Sequence, residues 1–442
     1  MTNLHIDNTK IASLRPYKRN ARTHSDKQIH QIAASIEAFG FTNPVLIDAD
    51  NTIIAGHGRV EASKQLKLST VPTIRLEHLS EVQLRAYVLA DNRLAESAGW
   101  DDNVLAIELQ HLSEIDLDFS IEVTGFETAE IDFLLEDVHN ADASEDPADE
   151  IYEVADTAIC KTGGLWLLGD HRLICGDSLQ QETYKTLMRG ESARMVFTDP
   201  PYNVPVQGHV SGLGRATHRE FAMVSGEMSS DEFAGFLAQV LGHLKQYAMD
   251  GALLYVCMDW RHVGEMDRAT LMSGLATKNI CVWAKSNGGM GSLCRSRHEF
   301  VFVLKSGTAA HVNNVQLGRY GRYRTNVWEY AGVNSFGRSR DADLEDHPTV
   351  KPVTLVADAI RDCSKRNDII LDAFGGSGTT LLAAERTGRK ARLIEIDPAY
   401  CDVTIRRWQR MTGEKAVLAD SDNCFDLVAK QRIEVEEVEN VA

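Results

Sequence analysis

Residues 368–385 read DIILDAFGGSGTTLLAAE, and this stretch decides the fold of the second half of the chain. Three aliphatic residues precede Asp372, four small residues follow Phe374, and an apolar segment begins at Thr379. A short aliphatic run, a cluster of glycines and a longer apolar segment predict a β-strand, a tight turn and a helix. Because the N–H groups at the start of such a helix point outward, the turn can hold an anionic group.

A second strand with a terminal acid follows this unit. Residues 392–395 read RLIE, so the run ends in Glu395, and Asp397 stands before Pro398 as a predicted helix cap. In a Rossmann-like unit, a carboxylate at the place of Glu395 accepts hydrogen bonds from ribose hydroxyls. No lysine follows Gly378, which excludes a Walker loop, and the third glycine of the dinucleotide fingerprint is missing. Taken alone, the glycine turn also fits a nicotinamide dehydrogenase.

A third stretch predicts the chemistry. The apolar run Met195-Val196-Phe197 ends at Thr198-Asp199-Pro200-Pro201-Tyr202-Asn203, which indicates a buried strand that leads into a rigid loop. Each proline fixes φ and lacks an N–H group, so main-chain carbonyls are left as acceptors beside a carboxylate and an aromatic ring. Such a loop suits a flat heterocycle that carries an amino group. The alternative is a proline turn with a solvated aspartate and a packed tyrosine.

These motifs, together with two others, resemble those of amino-group DNA methyltransferases. The Asp-Pro-Pro-Tyr signature has the form that is commoner among adenine enzymes than among cytosine enzymes. Their order, with the catalytic loop first, a variable basic insert next and the cofactor loop last, is that of the beta class. The resemblance covers four segments: Gly176-Asp177, Asp199 to Tyr202, His347-Pro348-Thr-Val-Lys351-Pro352, and Asp372 to Thr379.

The resemblance implies S-adenosyl-L-methionine as the cofactor, no metal, and methyl transfer to a flipped base, most readily adenine N6. The amino group would donate to Asp199 and to the Pro200 carbonyl, while Tyr202 stacks on the base and Phe374 lies near the sulfonium. Cytosine N4, an RNA or protein substrate, and a non-catalytic ParB-like adaptor are the alternatives. The implied catalytic residues are Asp199, Pro200, Pro201 and Tyr202, and the implied cofactor residues are Asp177, Lys351, Asp372, Phe374, Gly376, Ser377, Gly378, Thr379 and Glu395.

The distribution of charge favours DNA as the partner. The chain has a formal net charge of −18, but much of the acidic excess lies in two segments, 136–153 and 420–442. Between Lys285 and Arg340 the sign reverses, with nine basic residues against Glu299 and Glu329. A basic segment in an acidic chain is suited to a polyanion, although a solvated surface can carry arginines too. The candidate DNA-binding residues are Arg295, Arg297, Arg319, Arg322 and Arg324.

The first 95 residues have a different, mixed pattern. A helix is predicted over residues 27–39 with Gly40 as its cap, followed by a hairpin around residues 49–51 and a helix from Val60. The sequence Gly56-His57-Gly58-Arg59 precedes this helix and is a candidate anion site. The region resembles ParB-like nuclease or nucleotide-binding domains, but it lacks the acid and the first arginine of their Gly-acid-Arg-Arg box. The alternative is a glycine-opened helix with a surface arginine.

We therefore expect an α/β, Rossmann-like methyltransferase fold, with a parallel sheet and helices on both faces, preceded by a small α+β ParB-like domain. The predicted parts are a ParB-like domain (1–95), a helical connector (96–138), an acidic linker (139–156), a methyltransferase domain (157–424) with a target-recognition insert (285–346), and an acidic tail (425–442). The eight cysteines are scattered, and no signal peptide or membrane-length apolar run is visible. A cytoplasmic location, double-stranded DNA as partner and no membrane follow. The resemblance also allows a homodimer and a nucleotide at the first domain.

Overall fold

The computed structural model divides the chain into two compact units, Met1–Ala141 and Asp142–Ala442. The structure describes residues 4–96, 98–115, 117, 119–139, 148, 154, 157–203, 226–286, 294–318, 322–330 and 350–432. The predicted site residue Arg319, the motif residues His347 and Pro348, and most of the predicted linker lie outside these residues. Within the described residues, no helix has the length and apolar character that crossing a membrane requires.

The first unit contains a four-stranded sheet in the order β1-β4-β2-β3. Strands β2 and β3 pair antiparallel, which confirms the predicted hairpin. Strand β1 was not predicted, because its residues are mostly polar and exposed and show no apolar alternation. The strands are β1 (Ile6–Lys10), β2 (Val45–Ile47), β3 (Ile53–Ala55) and β4 (Thr70–Arg75).

Helices surround this sheet and extend beyond it in the chain. The first helix begins after Ser25, whose side chain accepts from the Gln28 N–H, and ends at Gly40, whose φ of 76° confirms the predicted cap. The second begins earlier than predicted, at His57, because Gly56 adopts the left-handed conformation directly before it. The helices are α1 (Asp26–Phe39), α2 (His57–Gln65), α3 (Glu81–Glu96), α4 (Asp102–Glu114) and α5 (Thr128–His139).

The second unit is built on one ten-stranded sheet in the order β11-β9-β10-β8-β7-β12-β13-β6-β5-β14. The strands are β5 (Leu165–Leu168), β6 (His171–Cys175), β7 (Ala193–Thr198), β8 (Ala248–Met258), β9 (Ala276–Ala284), β10 (His298–Lys305), β11 (Val327–Glu329), β12 (Ile369–Asp372), β13 (Lys390–Glu395) and β14 (Val417–Leu418).

The direction of the strands corrects the expectation of a parallel sheet. The five central strands β8, β7, β12, β13 and β6 are parallel to one another. Strand β10 runs antiparallel to β8 and to β9, and β5 runs antiparallel to β6 and to β14. Strands β5 and β6 are joined by residues 169 and 170 alone, a length that joins antiparallel neighbours, whereas α6, α7 and α10 lie between successive central strands. The sheet is therefore mixed.

Helices cover both faces of this sheet, as predicted. Alternate residues of β7 belong to opposite faces: Met195 and Phe197 pack with α9, α10 and α11, while Val196 packs with α6, α7 and α8. The helices are α6 (Gln181–Met188), α7 (Ser230–Tyr247), α8 (Val263–Ser273), α9 (Val353–Cys363), α10 (Thr379–Arg386) and α11 (Pro398–Thr412). Asp397 caps α11 through the Ala399 N–H, as the sequence predicted.

We expect Leu371→Ala to lower the free energy of unfolding by about 2–5 kcal/mol, because it would leave a cavity in the middle of the core. Leu371 lies on β12 between two parallel neighbours and is fully buried. Leu271→Ala on α8 is the matched control, since Leu271 is 71% exposed. Chemical denaturation of both variants measures the difference, and equal losses would contradict the assignment of Leu371 to the core.

Candidate active site

The parallel strands bring the predicted site residues to one edge of the sheet. Strands β6, β7, β12 and β13 point in the same direction, so the segments after them meet at their carboxyl ends. Asp177 follows β6, Asp199 follows β7, Asp372 ends β12 and Glu395 ends β13. Residues far apart in the sequence therefore share one edge of the sheet.

The glycine turn between β12 and α10 has the conformation that only glycine adopts easily. Gly376 has φ +51° and Gly378 has φ +87°, and a Cβ on Gly378 would lie 2.6 Å from Thr404 Cγ2. Gly378 precedes α10, whose first turn no side chain caps. The Arg407 guanidinium donates to the Ser377 main-chain oxygen at 2.7 Å and to its hydroxyl at 3.0 Å. Thr379 is the first residue of α10.

Glu395 supports this turn from the next strand. Its Oε2 accepts from the Gly376 N–H at 2.7 Å, and its Oε1 accepts from the Asp397 N–H at 2.8 Å. The side chain is only 8% exposed, and this burial raises the pKa of Glu395 to about 7. Each carboxylate oxygen retains a second lone pair, so the oriented group can also accept from a ligand hydroxyl.

Asp372 joins the two loops that the sequence singled out. Its Oδ1 accepts from the Thr198 hydroxyl at 2.8 Å and from the Phe374 N–H at 3.0 Å, and its Oδ2 accepts from the Thr380 hydroxyl at 2.7 Å. Burial raises the pKa of Asp372 to about 7. The implied role of Asp372 was cofactor binding, and the structure gives it internal partners on β7, on the turn and on α10.

Two other predicted cofactor residues lie around the turn. Asp177 is partly exposed, and its carboxylate accepts from the Leu179 N–H at 2.8 Å and from the Gln180 side chain at 3.2 Å. Phe374 is half-buried, with its ring centroid 6.1 Å from that of Phe236. Both positions leave part of the side chain available at the edge of the sheet.

Asp199 has a proton donor at each carboxylate oxygen. The Tyr202 hydroxyl donates to its Oδ1 at 2.5 Å, and the Lys351 ammonium donates to its Oδ2 at 2.5 Å. The Lys351 nitrogen also lies 5.7 Å from the centroid of the Tyr202 ring. The resemblance implied a cofactor contact for Lys351, whereas the structure places its ammonium on Asp199 in the loop after β7.

The sequence did not predict two further members of this cluster, Glu299 and Lys285. Glu299 Oε2 lies 2.9 Å from Lys351 Nζ and 3.2 Å from the Tyr202 hydroxyl, and its Oε1 accepts from Lys285. Glu299 is near the start of β10, and because β10 runs antiparallel to β8, this start lies at the catalytic edge. An acid at the beginning of an otherwise apolar strand was the signal available in the sequence.

The charges in the cluster determine its titration. Burial opposes ionisation of Glu299, but Lys351 and Lys285 outweigh it and lower the pKa of Glu299 to about 2. Burial also opposes the charge of Lys351, but Asp199 and Glu299 outweigh it and raise the pKa of Lys351 above its ordinary value. Burial raises the pKa of Asp199, helped by Glu299 and opposed by Lys351. Two carboxylates thus share one buried ammonium.

Family models match three segments of the chain. A DNA methylase model matches residues 193–406, a ParB N-terminal domain model matches residues 2–93, and a helix-turn-helix model of ParB-methyltransferases matches residues 103–162. The chain belongs to the N6/N4 DNA methylase family and carries a ParB N-terminal domain. The helix-turn-helix match falls on the region for which the sequence predicted only a connector and a linker. In it, α4 and α5 pack through Leu109, Ile131 and Leu135.

Individual relatives match each part of this methylase. The ParB-like nuclease domain-containing protein YnaK of Escherichia coli is 53% identical over 73 residues, which are 16% of this chain and 84% of that protein. The type II methyltransferase M2.DpnII of Streptococcus pneumoniae is 26% identical over 239 residues, which are 52% of this chain and 88% of that protein. The solved structure of TTHA0409, a DNA modification methylase of Thermus thermophilus, matches 56% of this chain and 97% of its own at 20% identity with a TM-score of 0.39.

The basic insert of the methylase contains two kinds of arginine. Arg295 and Arg297 are exposed. Arg322 and Arg324 instead face inward: Arg322 Nη2 lies 3.0 Å from Asp362 Oδ1, and Arg324 Nε lies 2.7 Å from Asp362 Oδ2. Arg324 also donates to the Tyr330 hydroxyl at 2.7 Å. The structure thus gives Arg322 and Arg324 acidic partners on α9, and DNA binding by these two side chains stays a prediction.

The candidate anion site in the ParB domain is partly filled by its own side chains. His57 accepts from the Tyr17 N–H at 3.3 Å, and burial lowers its pKa. The Arg59 guanidinium folds back toward Gly56, where a Cβ would lie 2.9 Å from Nη2, and burial lowers the Arg59 pKa. Gly58 is buried beside His24 and Ile32. Anion binding at these four residues stays a prediction.

We expect Gly378→Ala in this methylase to lower the free energy of unfolding by more than about 1 kcal/mol, because it adds a clash with Thr404 to the strain of a positive φ. Gly190→Ala is the matched control, since Gly190 has φ +85° and no atom within 4 Å of an added Cβ. Thermal unfolding of the two variants separates clash from strain. Equal losses would show that Thr404 does not restrict this position.

Proposed function

We propose that this DNA methylase transfers a methyl group from S-adenosyl-L-methionine to the exocyclic amino group of a flipped base, with adenine N6 as the target. The observation that carries the proposal is the joining of two loops by Asp372. The loop with the amino acceptors, Asp199 and the Pro200 carbonyl, is held through Thr198 to the strand that ends in the glycine turn, with 2.8 Å between Thr198 Oγ1 and Asp372 Oδ1. The loop that would bind the amino group and the turn that would bind the cofactor are thereby held next to each other.

The glycine turn and Glu395 fit this cofactor. The uncapped first turn of α10 would hold the cofactor carboxylate through main-chain N–H groups, and the absence of side chains at Gly376 and Gly378 would permit a close approach. Glu395, oriented by two main-chain N–H groups, would accept from the ribose hydroxyls. We assign Asp177 to the adenine end, Ser377 and Thr379 to the carboxylate end, and Phe374 to the sulfonium as a cation–π partner. When bound, the cofactor supplies an electrophilic methyl group.

Asp199 would make the amino nitrogen a nucleophile. The lone pair of an aromatic amino group is delocalised into the ring. If this group donates to Asp199 and to the Pro200 carbonyl, the nitrogen becomes more tetrahedral and its lone pair can form the new N–C bond as the C–S bond breaks. The carboxylate also stabilises the positive charge that grows on nitrogen, and the methylated nitrogen then loses one proton to water. No covalent enzyme intermediate is required.

Tyr202 would hold the flipped base. The amino group is inaccessible within a duplex, so the base must leave the stack. The Tyr202 hydroxyl lies 2.5 Å from Asp199 Oδ1 and 3.2 Å from Glu299 Oε2, and these two acceptors hold the ring beside the carboxylate that would bind the amino group. A ring held in this position provides a stacking surface without further loss of side-chain entropy.

We expect Asp199→Ala to reduce methyl transfer by at least about 10³-fold while cofactor binding stays within a few-fold, because the preorganised acceptor is lost and the glycine turn is intact. Radiolabelled methyl transfer to duplex DNA and calorimetric cofactor titration measure the two effects. Asp231→Ala, at a side chain that is 91% exposed, is the control and should retain activity. Normal turnover by Asp199→Ala would rule out this mechanism.

The choice of base is tested by nucleoside analysis of the methylated DNA. N6-methyladenine is expected, because the Asp199-Pro200-Pro201-Tyr202 signature resembles the adenine form. N4-methylcytosine would keep the mechanism and replace adenine by cytosine, and methylation of RNA or protein in place of DNA would refute the substrate.

We assign DNA backbone contacts to Arg295 and Arg297, because both are exposed in the basic insert. The double variant Arg295→Ala/Arg297→Ala should weaken binding and reduce the slope of log K against log salt by up to about 2, since each phosphate contact contributes about 0.9. Fluorescence anisotropy at several salt concentrations measures this slope. The exposed Arg268 on α8, which pairs with Asp231, provides the control substitution to alanine. An unchanged slope in the double variant would mean that these arginines only face solvent.

A further inference from the structure

The Lys351 ammonium lies between two carboxylates from different parts of the chain. Its Nζ is 2.5 Å from Asp199 Oδ2 and 2.9 Å from Glu299 Oε2, and the Lys351 side chain is 6% exposed. Asp199 belongs to the loop after β7, whereas Glu299 belongs to β10, where it pairs with Trp283 in the sheet. One acceptor is therefore on a loop at the site edge, and the other is fixed in regular structure.

The two oxygens of Asp199 already have strong donors. Tyr202 donates to Oδ1 and Lys351 donates to Oδ2. An incoming amino group must take the place of one of these donors or share its oxygen. A buried ammonium or hydroxyl that loses its acceptor without a replacement is strongly destabilised, so such an exchange needs a second acceptor nearby.

Glu299 is in contact with both donors. Its Oε2 is 2.9 Å from Lys351 Nζ and 3.2 Å from the Tyr202 hydroxyl. Its other oxygen is held by Lys285, whose ammonium also lies 4.6 Å from the centroid of the Trp283 ring. Lys285 therefore holds one oxygen of Glu299, and the other oxygen faces Lys351 and Tyr202, the two groups that donate to Asp199.

We propose that Glu299 is a positioning residue for methyl transfer, which keeps Lys351 and Tyr202 hydrogen-bonded when Asp199 turns to the amino group of the base. This inference rests on the proposed function and extends it to a residue that does not touch the substrate. Glu299 acts through Lys351 and Tyr202, and no covalent bond to Glu299 is made or broken.

The test is Glu299→Gln, which keeps the shape of the side chain and removes its charge. Lys351 then has Asp199 as its sole charged partner in the cluster and holds it more firmly, so the single-turnover rate should fall by roughly 10- to 100-fold, with cofactor affinity within about twofold. Glu191→Gln is the matched control, because Glu191 pairs with Arg172 and Arg392 away from the catalytic loop. A rate for Glu299→Gln equal to that of the control would overturn the proposal.

A pH profile distinguishes positioning from a purely structural role. Among the residues that the structure describes, the groups that face Asp199 are Tyr202 on its own loop, Cys257 on β8, Glu299 on β10, Asp372 on β12 and Lys351 before α9. Burial and the Glu299 charge raise the pKa of Asp199 above 3.8, so the rate is lost as pH falls through that raised pKa. Glu299→Gln removes a negative charge that raises the pKa of Asp199. The loss of rate at acid pH, the acid limb of the profile, should therefore shift to lower pH. A slower variant with an unmoved limb would refute positioning.

A double-mutant cycle checks that Glu299 acts through Lys351. In a Lys351→Met background, Glu299→Gln should change the rate by a smaller factor than in the wild type, because the ammonium that it partners is gone. Equal factors in the two backgrounds would overturn the proposal, and if Lys351→Met does not fold, the pH limb of Glu299→Gln decides. Absence of methyl transfer by the wild type would refute the proposed function itself, whereas an active wild type with an unaffected Glu299→Gln would refute only this inference.

Discussion

Three hydrogen bonds to one buried carboxylate hold the edge of the sheet at the candidate active site together. Asp372 ends β12 and accepts from the Thr198 hydroxyl, the Phe374 N–H and the Thr380 hydroxyl. These donors belong to the strand before the acceptor loop, to the glycine turn and to the helix after it. Because burial makes the charged form costly and raises the pKa of Asp372 to about 7, the three donors are needed to keep the group in place. The distance between the Asp199 loop and the glycine turn therefore depends on Asp372.

The cluster around Asp199 has balanced charges within a chain that is acidic overall. The net charge of −18 gives no indication that two ammonium groups and two carboxylates alternate at the end of β7. Lys285, Glu299, Lys351 and Asp199 form this alternation, with each inner member in contact with two opposite charges. Such a chain permits partners to be exchanged without leaving a buried charge alone, which is a property suited to a site that must accept a polar substrate group.

The arginines of the basic insert differ in the direction of their side chains. Arg322 and Arg324 bind Asp358 and Asp362 of α9, where burial would be costly without these acids. The same segment adds Trp328, 4% exposed, to the core through β11. Part of the insert is therefore structural, and it fixes the base of the segment from which Arg295 and Arg297 extend to solvent.

The sequence by itself determined the local features: the strand–turn–helix at Asp372, the acid at Glu395, the rigid loop from Asp199 to Tyr202, the hairpin in the first unit and the caps at Gly40 and Asp397. Each depends on main-chain conformation, which a few neighbouring residues specify. Only the tertiary structure placed Lys351 on Asp199 and Glu299 on Lys351, turned Arg322 and Arg324 inward, and made the sheet mixed. Those outcomes depend on tertiary packing, which brings together residues separated by 38 to 152 positions, and no local pattern encodes such a pairing.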